Sequence, residues 1–282
     1  MLLELAIGDA YGAGFEFADR GVIEDHNDLS GYIKHRKHDL GLGRYTDDTQ
    51  MSIAIAEIML NGSEWTPIGI ADKFVDVFKR DPRPGYSTRM SKTLQNSENG
   101  TDFLKKIQTK AESSGAAMRA PPLGFMPDIE KIIEYATLQA KVTHNTETGV
   151  NSAIASALMT HYFLHNKGRK KDLPDFIKKY TSSWWTSSVI GEVGKKAYMH
   201  IRAAINSIVN EETLSGVLER SVSFGGDTDT VAAIAMAAAS CCKEIKKDIP
   251  DVLLEGLEKG KYGTGYLINL ERSLRIRYMG SS

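Results

Sequence analysis

The stretch VAAIAMAAAS, residues 231–240, carries no charge and nothing more polar than one terminal serine. Alanine, methionine and isoleucine in such a run read as a helix that is apolar on every face, and such a helix has to lie inside a protein. MSIAIAEIML, residues 51–60, is nearly the same, with one acid. Two central helices imply a shell of others. Apolar spacing predicts helices over Asp48–Leu60, Pro67–Lys79, Thr101–Lys110, Asp128–Ala140, Thr146–His165, Ser188–Val209, Glu211–Ser221, Thr228–Cys242 and Pro250–Lys259. Small residues in TETGVNSAIASALMTHYFLH allow close helix packing. Strand-like alternation is scarce, with SGYIKH (30–35) the one short candidate. Loops rich in Gly, Pro and Ser are expected at Arg80–Tyr86, Ser113–Gly124 and Phe224–Asp227. With no long linker and no break in composition, the expectation is one all-α domain over 1–282.

Each central helix is preceded by the same kind of start. YTDDTQM leads into the first, and FGGDTDT leads into the second. Threonines interleaved with two aspartates can cap a first turn, and carboxylates there suit the helix dipole. Capping alone, however, needs one acid or hydroxyl rather than two of each. Because both helices are buried, Asp47, Asp48, Asp227 and Asp229 are expected near the protein centre. Four poorly solvated carboxylates would have to take up protons or be neutralised by cations. Two divalent ions balance four negative charges. The donors are hard oxygens, which suit Mg²⁺, Mn²⁺ or Ca²⁺ better than zinc.

Bulk properties narrow the classes. The chain has 282 residues, 41% hydrophobic and 25% charged, with a formal net charge of −1. That balance gives no footing for a nucleic-acid partner, and no apolar run is long enough for a membrane span. The opening MLLELAIGDAYG lacks a basic region and contains an acid, so no secretory signal is read there. The two cysteines, Cys241 and Cys242, are neighbours and form no disulfide framework, which points to a reduced, cytoplasmic setting. A monomer is expected.

In this order, AIGDAYGAGFEF, YTDDTQM, SGAAMR, THNTETGVNSA and GGDTDTVAAIA resemble the ADP-ribosylglycohydrolase family, from Ala6 to about Ser240. The resemblance implies a single compact multi-helix all-α domain with a central dinuclear metal site holding two divalent cations, Mg²⁺ or Mn²⁺. Thr46, Asp47 and Asp48 match the first metal cluster; Asp227, Asp229 and Thr230 match the second, with Asp229 bridging the ions. Glu16, in GFEF, matches a glutamate near the metals and the reacting carbon, although outside the family it would pass for a surface acid. Glu16, Asp229 and Asp48 are thus the candidate catalytic carboxylates. Ser113, Ser114, Gly115, Ala116, Ala117 and Met118 match a diphosphate-holding loop, with Ser114 where asparagine is frequent and Ala116 where glycine or serine is. Small residues there let backbone N–H groups approach phosphate oxygens. His144 matches a histidine near the phosphates and distal ribose, and Tyr86 a residue beside adenine.

The implied activity is metal-dependent hydrolysis of the N- or O-glycosidic bond at C1″ of ADP-ribose, on an ADP-ribosylated protein or small molecule. The contrasting possibility is a non-catalytic binding or crystallin-like structural member; a third is another metal-dependent nucleoside or phosphoester hydrolase. The leaving group would be read by loops Glu16–Gly43 and Lys179–Gly191. Other features read as ordinary. His161 and His165 are taken as helix-surface histidines rather than a zinc pair. His35 and His38 are taken as a solvated basic patch, and KGRKKD as a solvated charge run. Trp184 and Trp185 are assigned to packing under a loop, and Met51, Met59, Met118 and Met236 to core filling.

Overall fold

A computed structural model describes residues 1–61, 65–181, 188 and 191–280. Its helices are α1 (Leu2–Ala13), α2 (Arg20–His26), α3 (Asp47–Asn61), α4 (Pro67–Arg80), α5 (Thr88–Gln95), α6 (Gly100–Lys106), α7 (Ile129–Lys141), α8 (Glu147–Leu164), α9 (Leu173–Lys178), α10 (Ala197–Asn210), α11 (Leu214–Ser223), α12 (Thr228–Ala239), α13 (Asp251–Gly256) and α14 (Thr264–Met279). Short 3₁₀ turns lie at Ser114–Ala116, Pro121–Phe125 and Lys170–Asp172.

Helix α12 is the axis, with every residue from Thr228 to Ala239 buried. Helices α1, α8, α10 and α11 pack around it. The tightest partner is α1. A Cβ on Gly8 would stand 2.5 Å from the carbonyl oxygen of Ala232, and one on Gly12 would stand 2.5 Å from Cα of Asp229. The two backbones therefore touch, which only glycine permits. Helix α3, also buried along most of its length, runs between α4, α14 and the Pro121–Phe125 turn. One apolar cluster extends from Met1 to Leu274, and Met51, Met59, Met118 and Met236 all lie in it. The expected all-α architecture is what the structure has.

Several local expectations need correction. Among the described residues there is no strand. SGYIKH forms a loop held by its side chains: the Tyr32 hydroxyl donates to the Leu253 carbonyl at 2.8 Å, and the Ile33 side chain fills the space beside Gly14. Helix α10 starts at Ala197, not 188, because Gly191 takes a positive φ of 75° and Val193 bridges to Gly226. Helix α6 ends at Lys106, and Lys110 then pairs with His144. Helices α1, α2, α5, α9 and α14 were not foreseen. His161 is fully buried, donating from Nδ1 to the Met126 carbonyl at 2.9 Å and stacking on His165, so it is not a surface histidine. Within KGRKKD, Lys170 is buried and bonds to Glu212 and to the Glu211 carbonyl. The cysteines are free thiols. Trp184 and Trp185 lie outside the described residues. No helix is long and apolar enough to cross a membrane among those described.

Candidate functional site

The α3 start is capped from another helix. Asp9, on α1 and fully buried, accepts hydrogen bonds from the backbone N–H groups of Thr46 (3.0 Å) and Thr49 (2.9 Å) and from their hydroxyls (2.8 and 2.6 Å). Its charge lies at the positive end of α3. The first turn thus needs neither Asp47 nor Asp48 as a cap. Thr46 retains hydroxyl lone pairs. Asp48 is buried, and its Oδ2 has no hydrogen-bond partner. Asp47 is partly exposed and lies against Gly85, whose φ is 105° and where any Cβ would collide with Asp47 Oδ1.

The α12 start is shaped by loops. Gly226 sits at φ 79°, and a Cβ there would strike the Val193 carbonyl. Its own carbonyl accepts from Phe17 N–H at 2.7 Å, while Asp227 N–H donates to Val193 at 3.0 Å. Phe17 adopts a left-handed φ of 48° to make that contact. The GFEF turn is thereby clamped onto GGDTDT, and carboxylate oxygens of Glu16, Asp227 and Asp229 fall within 4.8 Å of one another. Asp229 Oδ1 accepts from the Thr230 N–H at 2.8 Å.

Two histidines flank this cluster. His200 Nε2 lies 2.8 Å from Asp227 Oδ2, and its Nδ1 faces the Lys196 carbonyl at 3.1 Å. A carbonyl only accepts, so Nδ1 donates there, while Nε2 faces the Asp227 carboxylate. His35 is buried rather than solvated, which corrects the basic-patch reading; His38 packs edge-on against it. Its Nδ1 accepts from the N–H groups of Lys37 (3.0 Å) and His38 (3.4 Å), so Nε2 holds the proton and donates to Glu16 Oε2 at 2.9 Å.

The charges of the two starts reach each other. Burial raises Asp48 well above the usual carboxylate range, and Asp9, Asp47 and Asp227 add to it. Burial and then Asp9 do the same to Asp47. Asp229 is raised by burial, then by Asp227, Asp48 and Glu16. Burial opposes ionisation of Asp227 too, but His200 and neighbouring hydrogen bonds outweigh it and hold that carboxyl at about 2. An orphaned carboxylate oxygen, hard donors and unneutralised acids together fit divalent cations such as Mg²⁺ or Mn²⁺.

The Ser113–Met118 loop lies beside this cluster, with Ser114 Oγ 3.5 Å from Asp227 Oδ2. The N–H groups of Ala117 and Met118 donate to the Ser114 carbonyl at 2.7 and 3.0 Å, and both side chains are buried. The loop's donors are therefore centred on Ser114, Gly115 and Ala116 rather than on Ala117 and Met118. His144 supports the loop from below: a Cβ on Gly115 would stand 2.8 Å from its Cε1. Tyr86 is not an open platform. It is buried edge-on against Phe78, with its hydroxyl donating to Gln50 Oε1 at 2.7 Å. Arg83, in the same segment, is locked onto Glu258 and lies 3.6 Å over the Tyr45 ring.

Sequence reading missed Asp9, His35 and His200 as parts of the site. Asp9 lies inside AIGDAYG, and an acid in an apolar helix was the available signal. The histidines arrive from a loop and from α10, with no local pattern to mark them.

The ADP-ribosylglycohydrolase family model matches residues 1–279. The ADP-ribosylhydrolase ARH3 of Xenopus tropicalis is 31% identical over 59% of this chain and 50% of its own length, so this chain spans about half of that relative. The ADP-ribosyl-dinitrogen reductase glycohydrolase of Rhodospirillum rubrum is 26% identical over 91% of this chain and 88% of its own. A solved structure described as an ADP-ribosylglycohydrolase-related protein complex superposes with a TM-score of 0.75 at 21% identity, covering 100% of this chain and 96% of that one.

Proposed function

The chain belongs to the ADP-ribosylglycohydrolase family, and from that premise we propose that it is a metal-dependent hydrolase that cleaves the glycosidic bond at C1″ of ADP-ribose and frees mono-ADP-ribose from a protein or small-molecule acceptor. The observation that carries this reading is the meeting of the two helix starts, with Asp48 Oδ2 buried and unpartnered. Thr46, Asp47, Asp48, Asp227, Asp229 and Thr230 hold two divalent cations, Mg²⁺ or Mn²⁺. When bound, the ions supply Lewis-acid chemistry, orienting the ribose hydroxyls and easing deprotonation of water.

The chain's own groups do the rest. Ser114, Gly115 and Ala116 present N–H groups to the diphosphate, and Ser113 presents its hydroxyl. Glu16 Oε2 is occupied by His35, which leaves Oε1 to take the proton of the attacking water. The carboxylates of Asp48 and Asp229 face the ring and stabilise positive charge developing at the anomeric carbon. His144 steadies the loop, and Tyr86 closes the wall beside Asp47.

A panel of arginine-linked and serine-linked ADP-ribosyl peptides and O-acetyl-ADP-ribose, incubated with Mg²⁺ or Mn²⁺ and read by mass spectrometry, tests this. Intact ADP-ribose is the expected product, and EDTA abolishes its release. AMP with ribose 5-phosphate would instead show phosphoester cleavage. Tight ADP-ribose binding with no release from any substrate would make the protein a binding module.

A further inference from the structure

We propose that Arg119 and Thr143 are positioning residues: through His144 they turn the Ser113 hydroxyl proton outward, as a donor to a phosphate oxygen of the substrate. Arg119 is the largest fully buried side chain among the described residues, and its hydrogen bonds go to neutral acceptors. One arm reaches Thr143: Nη2 donates to Thr143 Oγ1 at 2.8 Å. A guanidinium has donors only, so the Thr143 hydroxyl has to accept there. Its single proton is then directed to His144 Nδ1, 2.7 Å away. With Nδ1 accepting, the ring proton sits on Nε2, which faces Ser113 Oγ at 3.1 Å. Ser113 accepts that bond and keeps its own proton free. Ser113 is exposed, whereas Arg119, Thr143 and His144 are buried.

The reverse order is unfavourable at its inner end. If Ser113 donated inward, Thr143 Oγ1 would accept from both Arg119 Nη2 and His144 Nδ1–H, and its own buried proton would be left without an acceptor. Burial, helped by the charge of Arg119, holds His144 down to about 3, so the ring stays neutral and needs a defined tautomer. A second arm of the same guanidinium grips the other end of the loop. Arg119 Nε donates to Gln139 Oε1 at 2.5 Å, and Gln139 Nε2 donates to the Ala116 carbonyl at 2.9 Å. One buried cation thus sets both the seat of the loop and the polarity of its terminal hydroxyl. The ligand class rests on the diphosphate reading above; the direction of the hydrogen bonds does not.

The test combines ¹⁵N NMR of the His144 ring with calorimetry of ADP and adenosine binding, in the metal-loaded full chain. The parent and Thr143→Ser show the Nε2–H tautomer. Thr143→Val and Ser113→Ala each weaken ADP binding about tenfold, the size of one hydrogen bond to a charged group, and leave adenosine binding unchanged. Thr143→Ser restores ADP binding. An Nδ1–H tautomer in the parent, or parental ADP affinity in Ser113→Ala, overturns the proposal, and the latter holds even if Thr143→Val fails to fold. Absence of ADP-ribose release by the parent would sink the proposed activity while leaving both of these readouts intact.

Discussion

TDDT and GDTDT are near-copies in sequence, yet the two helix starts are held by different means. At α3 the cap comes from Asp9 on a packed neighbouring helix, and one oxygen of Asp48 is left with no partner. At α12 the turn is set by a left-handed glycine, the carboxylate of Asp227 is tied to His200, and Asp229 leans on the N–H of the next residue. The first start depends on helix packing and is short of partners; the second depends on loops and is better supplied. Similar local patterns therefore predict similar chemistry here, but different sensitivities.

The largest effect is expected from Asp229→Asn, which should lower kcat by on the order of 10³-fold, about 4 kcal/mol of transition-state stabilisation, with the helical circular dichroism unchanged. A variant as fast as the parent would remove the second start from the chemistry. Asp9→Ala should act on the first start through stability, because two backbone N–H groups and two hydroxyls lose their acceptor. A loss of about 3 kcal/mol is expected, read as a lower Tm and urea midpoint.

The unneutralised acids give a pH signature. Asp47, Asp48 and Asp229 have folded-state values raised above the unfolded ones, so the folded chain binds extra protons. In EDTA, stability should be greatest below about pH 4 from this source and fall as pH rises through the raised values, by up to about 1.4 kcal/mol per pH unit for each extra proton. Saturating Mg²⁺ or Mn²⁺ should flatten that slope in calorimetric scans. A slope unaffected by cations would mean that these acids bind none. The smallest effect should come from His35→Gln, about tenfold in kcat with little change in Tm, since it frees Glu16 without unmaking the cluster.

Helices α3, α4, α7, α8, α11 and α12 were legible because composition and period agreed over many residues. Helix α1 was not, since Gly8 and Gly12 weaken its intrinsic propensity; contact with α12 sustains it. Both acid pairs were legible as an excess over what capping needs. The residue that does the capping was not, because it lies 37 and 40 positions from its partners, Thr46 and Thr49. His35 looked solvated among basic neighbours, and only the fold of its loop turns the ring inward.

The bare contact at Gly12 has a consequence for the dimensions of the acidic cluster. Only the hydrogens of Gly12 separate the backbone of α1 from Cα of Asp229, while the preceding turn of α1 carries Asp9 to the start of α3. Helix α1 therefore acts as a spacer gauge between the two starts. Gly12→Ala would open the gauge by the width of a methyl group, and the span between the two acidic helix starts would change with it.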